Sequence, residues 1–160
     1  MRFFVAPLAL AAACISAAGA SPAAMTARDV DLGTWLLDSV STFFPNHVGW
    51  ETGYDAAFAP TVKATFNQPA YNFFTLKQLY TSINSQITTG FTSFGVNITS
   101  VVVVPNAHDL GGLVTLTGVE GGPLPNGTVL TAPDSVFAVV SEIFGRRYIT
   151  EWRETTDFPL

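Results

Sequence analysis

At Phe91 the spacing of apolar residues changes period, and that change limits the folds open to this chain more than any other feature. Downstream, β-branched and aromatic residues alternate with polar ones in four runs: VNITSVVVV, GGLVTLTGV, TVLTAPDSVFAVVSEI and RRYITEWRETTDF. Glycine, proline and asparagine punctuate them, and Asn126-Gly127 and Gly145 supply tight turns. Four such strands in succession imply one antiparallel meander.

Upstream the period is helical. Leu32, Trp35, Leu36, Val40 and Phe43 fall on one face of a helix that opens near Thr26-Ala27-Arg28-Asp29. Phe44 should end it, because Pro45 disfavours helical geometry in the residue before it. In TLKQLYTSINSQITTG, Thr75 and Gln78 make a capping-box pattern, Leu76, Leu79, Tyr80, Ile83 and Ile87 share a face, and Gly90 is the stop. The aromatic stretch between these helices, residues 46–74, suggests a short helix over 54–58 and a strand over 62–66.

Residues 1–20, MRFFVAPLALAAACISAAGA, carry one positive charge, an apolar run and an Ala18-Gly19-Ala20 cleavage pattern, which predicts a secretory signal peptide followed by a single domain over 21–160. The run is interrupted by Pro7 and is too short for a spanning helix. Its removal takes away Cys14, the only cysteine, so a disulfide framework is excluded from the extracellular product. A chain of this length can hold a core without one.

Twelve acidic side chains stand against seven basic ones, which are scattered apart from Arg146-Arg147. That balance disfavours nucleic acid and anionic membrane as partners. With 48% hydrophobic and 12% charged residues, the chain has more apolar side chain than packing alone requires, and an internal cavity for a small apolar ligand is one use for the excess. Asn97-Ile98-Thr99 and Asn126-Gly127-Thr128 are N-glycosylation acceptor patterns, so both asparagines should be exposed. If Asn97 points outward, strand alternation puts Thr99, Val101 and Val103 on its side and Val96, Ile98, Ser100, Val102 and Val104 inside, an assignment that a bulge would shift.

Helix, short helix and strand, longer helix, then a long sheet closing on Ile149-Thr150-Glu151-Trp152-Arg153-Glu154-Thr155-Thr156-Asp157 is an order that resembles the NTF2-like superfamily over residues 27–158. The closing pattern is similar to the last strand of its SnoaL-like members. The resemblance implies an α+β cone, a curved antiparallel sheet packed on N-terminal helices around an apolar pocket. It spans polyketide cyclases, ketosteroid isomerases, dehydratases, epoxide hydrolases and non-catalytic members, so it does not select a reaction. Catalytic members place an aspartate, a histidine or tyrosines in the pocket; here the first helix has no tyrosine and the pattern puts no aspartate securely inside.

His47 and Asp55, eight positions apart beside the expected pocket mouth, are the candidate proton-transfer pair, histidine being tunable near neutral pH. Trp35, Trp50, Tyr54, Tyr71, Tyr80 and Trp152 are the candidate pocket lining. On the final strand the lower-cost arrangement turns Glu151 and Arg153 outward and Trp152 inward, since buried charges are costly. GFTSFG only approximates a nucleophile elbow and lacks its strand-turn-helix context. Two histidines 61 residues apart give no metal-ligand spacing, and no phosphate-binding loop or other cofactor motif is present. The turn residues around His108-Asp109 in PNAHDLGG read as a solvated hairpin connection. Three functions remain open: a secreted small-molecule binder, an acid–base isomerase, cyclase or dehydratase, and an interaction protein that forms a homodimer through its sheet.

Overall fold

The computed structural model describes residues 27–158. The signal peptide expected over 1–20 lies outside them, as does Thr26, where the first helix was expected to open. The elements run α1 (Ala27–Phe43), α2 (Trp50–Ala57), β1 (Phe58–Phe66), β2 (Ala70–Tyr71), α3 (Phe73–Gly90), β3 (Gly95–Pro105), β4 (Gly112–Pro123), β5 (Val129–Ile143) and β6 (Arg146–Thr156). Strands β3 to β6 form the expected meander.

The sheet order is β2-β1-β6-β5-β4-β3, and β1 joins β6 in parallel, from Phe58 opposite Ile149 to Phe66 opposite Glu154. The six-stranded sheet is therefore mixed rather than wholly antiparallel. Local pattern carries no trace of this pairing, because its two strands are far apart in the sequence.

Helix α1 buries Leu32, Leu36 and Phe43 and stops before buried Pro45. Helix α3 begins two residues ahead of the Thr75 signal, since Asn72 is the true cap: its side chain accepts the backbone N–H groups of Phe74 and Thr75, and Thr75 Oγ1 accepts that of Asn72. Glycine sets the approach of α1 to α2. A Cβ added at Gly53 would lie 2.4 Å from the Thr42 carbonyl oxygen.

Two bulges decide which side chains face the helices. In β3 the register shifts between Ile98 and Ser100, which reverses alternation beyond that point. Val101 and Val103 consequently pack on the core, while Val102 and Val104 are more than half exposed, the opposite of the expectation without a bulge. The β5–β6 pairing shifts between Val139 and Val140, so Ile149 and Trp152 both point inward although three residues apart.

The core is aromatic at its centre. Phe43 packs edge-on against Phe58 and Trp152 with centroids 4.9 and 5.4 Å apart, and Tyr54 stacks on Phe58 at 4.4 Å. Each fully buried large apolar side chain here contributes about 1.5–3 kcal/mol. Among the described residues no helix is long and apolar enough to cross a membrane.

Candidate functional site

Strand alternation that turns Val114, Leu116, Val136, Ala138 and Trp152 toward the helices also turns in Glu120, Asp134 and Glu154. These three carboxyls, on β4, β5 and β6, are buried. Asp134 sits opposite Thr156 and Gly118, and Glu154 opposite Val136 and Phe66, so register places them on neighbouring strands.

Glu154 is the most completely enclosed. Its Oε2 accepts the Tyr80 hydroxyl at 2.6 Å and the Trp152 indole N–H at 2.8 Å. Burial, reinforced by the charge of Asp134, nevertheless pushes its carboxyl up to about 8, against the two donors, which favour the anion. Burial raises Glu120 to about 7, although the Thr156 hydroxyl donates to its Oε1. Thr156 Oγ1 in turn accepts the Phe158 N–H at 3.1 Å.

Asp134 is raised to about 6, again by burial, with a backbone hydrogen bond from Ser135 acting the other way. Its Oδ1 has no hydrogen-bond partner, the one such buried side-chain oxygen or nitrogen among the described residues. An orphaned buried acceptor costs about 1–3 kcal/mol. Near neutral pH the cluster is therefore partly protonated, able to donate from one carboxyl and accept at another. Among the described residues no group of three or more His, Cys, Asp or Glu side chains is arranged to hold a metal ion.

Two interior cavities of about 10 Å³ each flank Glu154. One is lined by Glu120 and Glu154 with Tyr80, Phe66 and Phe158; the other by Asp134 and Glu154 with Tyr80, Phe43 and Trp152. Each is the size of one water, far below the roughly 300 Å³ of a small-molecule site. The interior is thus acidic and closed in this conformation.

The proton-transfer pair expected from the sequence is not assembled. His47 is exposed, with Nδ1 2.9 Å from Asn46 Oδ1, and exposed Asp55 pairs with Lys77 at 2.5 Å. Of the candidate lining, Tyr80 and Trp152 border the cavities, whereas Trp50 and Tyr54 are fully packed and the Tyr54 hydroxyl donates to Phe73 O. Trp35 borders an open hollow of about 410 Å³ outside α1, next to Arg146 and Arg147, and half-buried Tyr71 lies on β2. Glu151 and Arg153 face outward as a pair, Trp152 inward. Asn97 and Asn126 are exposed, and His108 lies in the exposed β3–β4 connection, where Asp109 Oδ1 accepts from Asn106 and Gly111.

Glu154 shares the parity of Trp152, and that shared face was the available signal for it. Glu120 and Asp134 follow the parity of the valines around them.

No protein-family model and no curated protein matches the sequence. Solved structures do match it. A structure assigned as a SnoaL-like polyketide cyclase from Jannaschia sp. covers 84% of this chain and 90% of its own, at 16% identity and a TM-score of 0.59. The fold is that of the NTF2-like and SnoaL-like proteins. The same architecture recurs in the beta subunit of benzoate 1,2-dioxygenase from Burkholderia mallei, at 12% identity over 80% of this chain and 89% of that one, with a TM-score of 0.62. It recurs also in the association domain of CaMKII from C. elegans, at 13% identity over 78% and 90%, with a TM-score of 0.56.

Proposed function

We propose that this chain is an exported SnoaL-like domain that takes a small, uncharged, largely apolar molecule into the helix-facing side of its sheet. The observation that carries this reading is Asp134 Oδ1, buried and unpartnered beside a second carboxyl whose ordinary charge burial opposes. A core gains nothing from an orphaned acceptor, whereas a ligand hydroxyl would satisfy it. Export rests on the leader-like residues 1–20, and glycosylation of Asn97 and Asn126 would accompany it.

The uncharged environmental probe prodan, and 1-naphthol as a small hydroxylic one, test the reading. Prodan emission should shift to the blue, and 1-naphthol should bind and raise the melting temperature. Asp134→Ala should weaken 1-naphthol about tenfold, the loss of one hydrogen bond to an ionisable acceptor. If both probes leave the protein's melting unchanged and native mass spectrometry of the exported protein finds no retained small molecule, the reading fails.

A second reading is acid–base catalysis of the isomerase, cyclase or dehydratase kind. It is favoured by the raised carboxyls, which would act in place of His47 and Asp55. Homodimerisation through the outer sheet face is compatible with both, and the partly exposed Val102, Val104, Phe137 and Val139 support it.

A further inference from the structure

Phe44 is a wall of three separate spaces. It closes the cavity that holds Glu120 and Glu154, and it closes the one that holds Asp134 and Glu154. It also borders an open groove of about 300 Å³ on the surface between α1 and the start of β3. Val40, Val96 and Ile98 are likewise shared by the groove and the Asp134 cavity, so a single layer of side chains divides solvent from the carboxyls.

That layer is built to yield at Phe44. The residue follows the last turn of α1, is only partly buried, and its ring is held by a stack on Phe94, with centroids 6.1 Å apart and planes 13° from parallel. Phe94 lies in the short segment between α3 and β3, outside the ladder. Moving these two rings breaks apolar contact and the Asn46 Nδ2 to Phe94 O bond, but no strand pairing.

The groove has a definite chemical preference. It is lined by Leu37, Val40, Val96 and Ile98 with no charged side chain, and the Ser41 hydroxyl is already given to Asp38 O. The outer hollow beside Trp35 differs, since Arg146 and Arg147 border it. A third hollow, of about 430 Å³, is bordered by Asp134 but also by Asp157, so among the hollows described the α1–β3 groove is the one that combines an uncharged wall with side chains shared by the Asp134 cavity.

We infer that the groove and the two interior cavities are compartments of one site for an elongated, uncharged, predominantly apolar molecule with an oxygen at one end. The oxygen reaches Asp134 and Glu154, the body lies between α1 and β3, and the Phe44 ring swings aside to join them. This rests on the proposal that the interior takes a ligand, and it adds the route, the shape and the gate.

Two measurements test it. The first needs no ligand: the infrared band of the protonated buried carboxyl shifts when its proton exchanges after transfer to heavy water. Phe44→Ala should speed that exchange by about tenfold or more, as a barrier lowered by about 1.4 kcal/mol gives. Phe44→Leu should be intermediate, which keeps the test valid if the alanine variant is poorly folded. Phe74→Ala, which removes an exposed ring of α3 that borders neither cavity nor the groove, should leave the rate near that of the parent. A rate in Phe44→Ala and Phe44→Leu no faster than that of the parent overturns the gate.

The second measurement is prodan affinity in Ser41→Glu, which puts a charge on the groove at an exposed helix position. Prodan should weaken about tenfold, and Ser41→Gln, uncharged and of the same length, should weaken it less. Unchanged prodan affinity overturns the groove as part of the site. If neither probe binds the parent or any variant, the ligand-binding reading fails, and the exchange rates still decide the gate.

Discussion

Tyr80 Oη donates to Glu154 Oε2 at 2.6 Å, a bond that ties the middle of α3 to β6 inside the core. It stabilises the charged form of Glu154, so its loss should raise that carboxyl further. Tyr80→Phe should move the Glu154 midpoint upward in an infrared or carbon-detected NMR titration. The stability cost should be about 1 kcal/mol by urea denaturation, because the Trp152 N–H still serves the same oxygen. A midpoint that stays or falls would contradict this electrostatic assignment.

Glu154, Glu120 and Asp134 are all raised in the folded state, to about 8, 7 and 6. A folded-state acid with a raised value binds its proton more tightly than the unfolded chain does. Its contribution is therefore present in full below the unfolded value and is lost as pH rises through the folded one. Stability should fall steadily from about pH 5 to about pH 8.5, by on the order of 2 kcal/mol or more, read as a melting temperature lowered by several degrees. Glu154→Gln should flatten the upper part of this curve. It should match the parent within about 1 kcal/mol near pH 5 and exceed it above pH 8, while a flat parent profile would count against buried, neutral carboxyls.

The bulge at the start of β3 makes neighbouring valines unequal. Val103→Asp should cost about 2–3 kcal/mol, since its side chain packs on the core and Val103 Cγ2 lies 3.1 Å from where a Cβ on Gly33 of α1 would be. Val102→Asp, on the outer face and 55% exposed, should stay within about 0.5 kcal/mol. Chemical denaturation of the pair reads the strand's parity directly, and the reverse order would restore the bulge-free register.

Gly53 permits the α1–α2 contact by lacking a side chain. Gly53→Ala brings a methyl against the Thr42 carbonyl and should destabilise by about 1–3 kcal/mol, despite alanine's better helix propensity. A stabilised alanine variant in a thermal melt would mean that the helices separate at little cost.

Much of the architecture was legible because it is written locally. The period change at Phe91, the Phe44-Pro45 stop and the turn at Asn126-Gly127 each act over a few residues. The α3 cap lies three residues ahead of the expected one, because Asn72 accepts from Phe74 and Thr75 and makes Thr75 the third residue of the box. The bulge at β3 left no composition signal, and everything downstream on that strand changed face with it.

The acidic cluster was hidden for a different reason. Burying carboxyls is costly, so physical reasoning assigns Glu120 and Asp134 to solvent by default, although both keep the parity of Leu116 and Val136. The sequence was most misleading where the structure accepts a cost. His47 and Asp55, the titratable residues that looked most suited to proton transfer, lie outside at the surface with other partners.

The parallel seam between β1 and β6 also governs when the molecule can become whole. Strand β1 is made early, yet its partner on one side is only the short β2, and its long partner is the final strand of the sheet. Closing a loop that reaches from Phe58 to Ile149 is entropically slow compared with forming any hairpin of the meander. Until β6 pairs with it, the long edge of β1 that faces away from β2 has no strand beside it, so the sheet becomes continuous only when its last strand is in place.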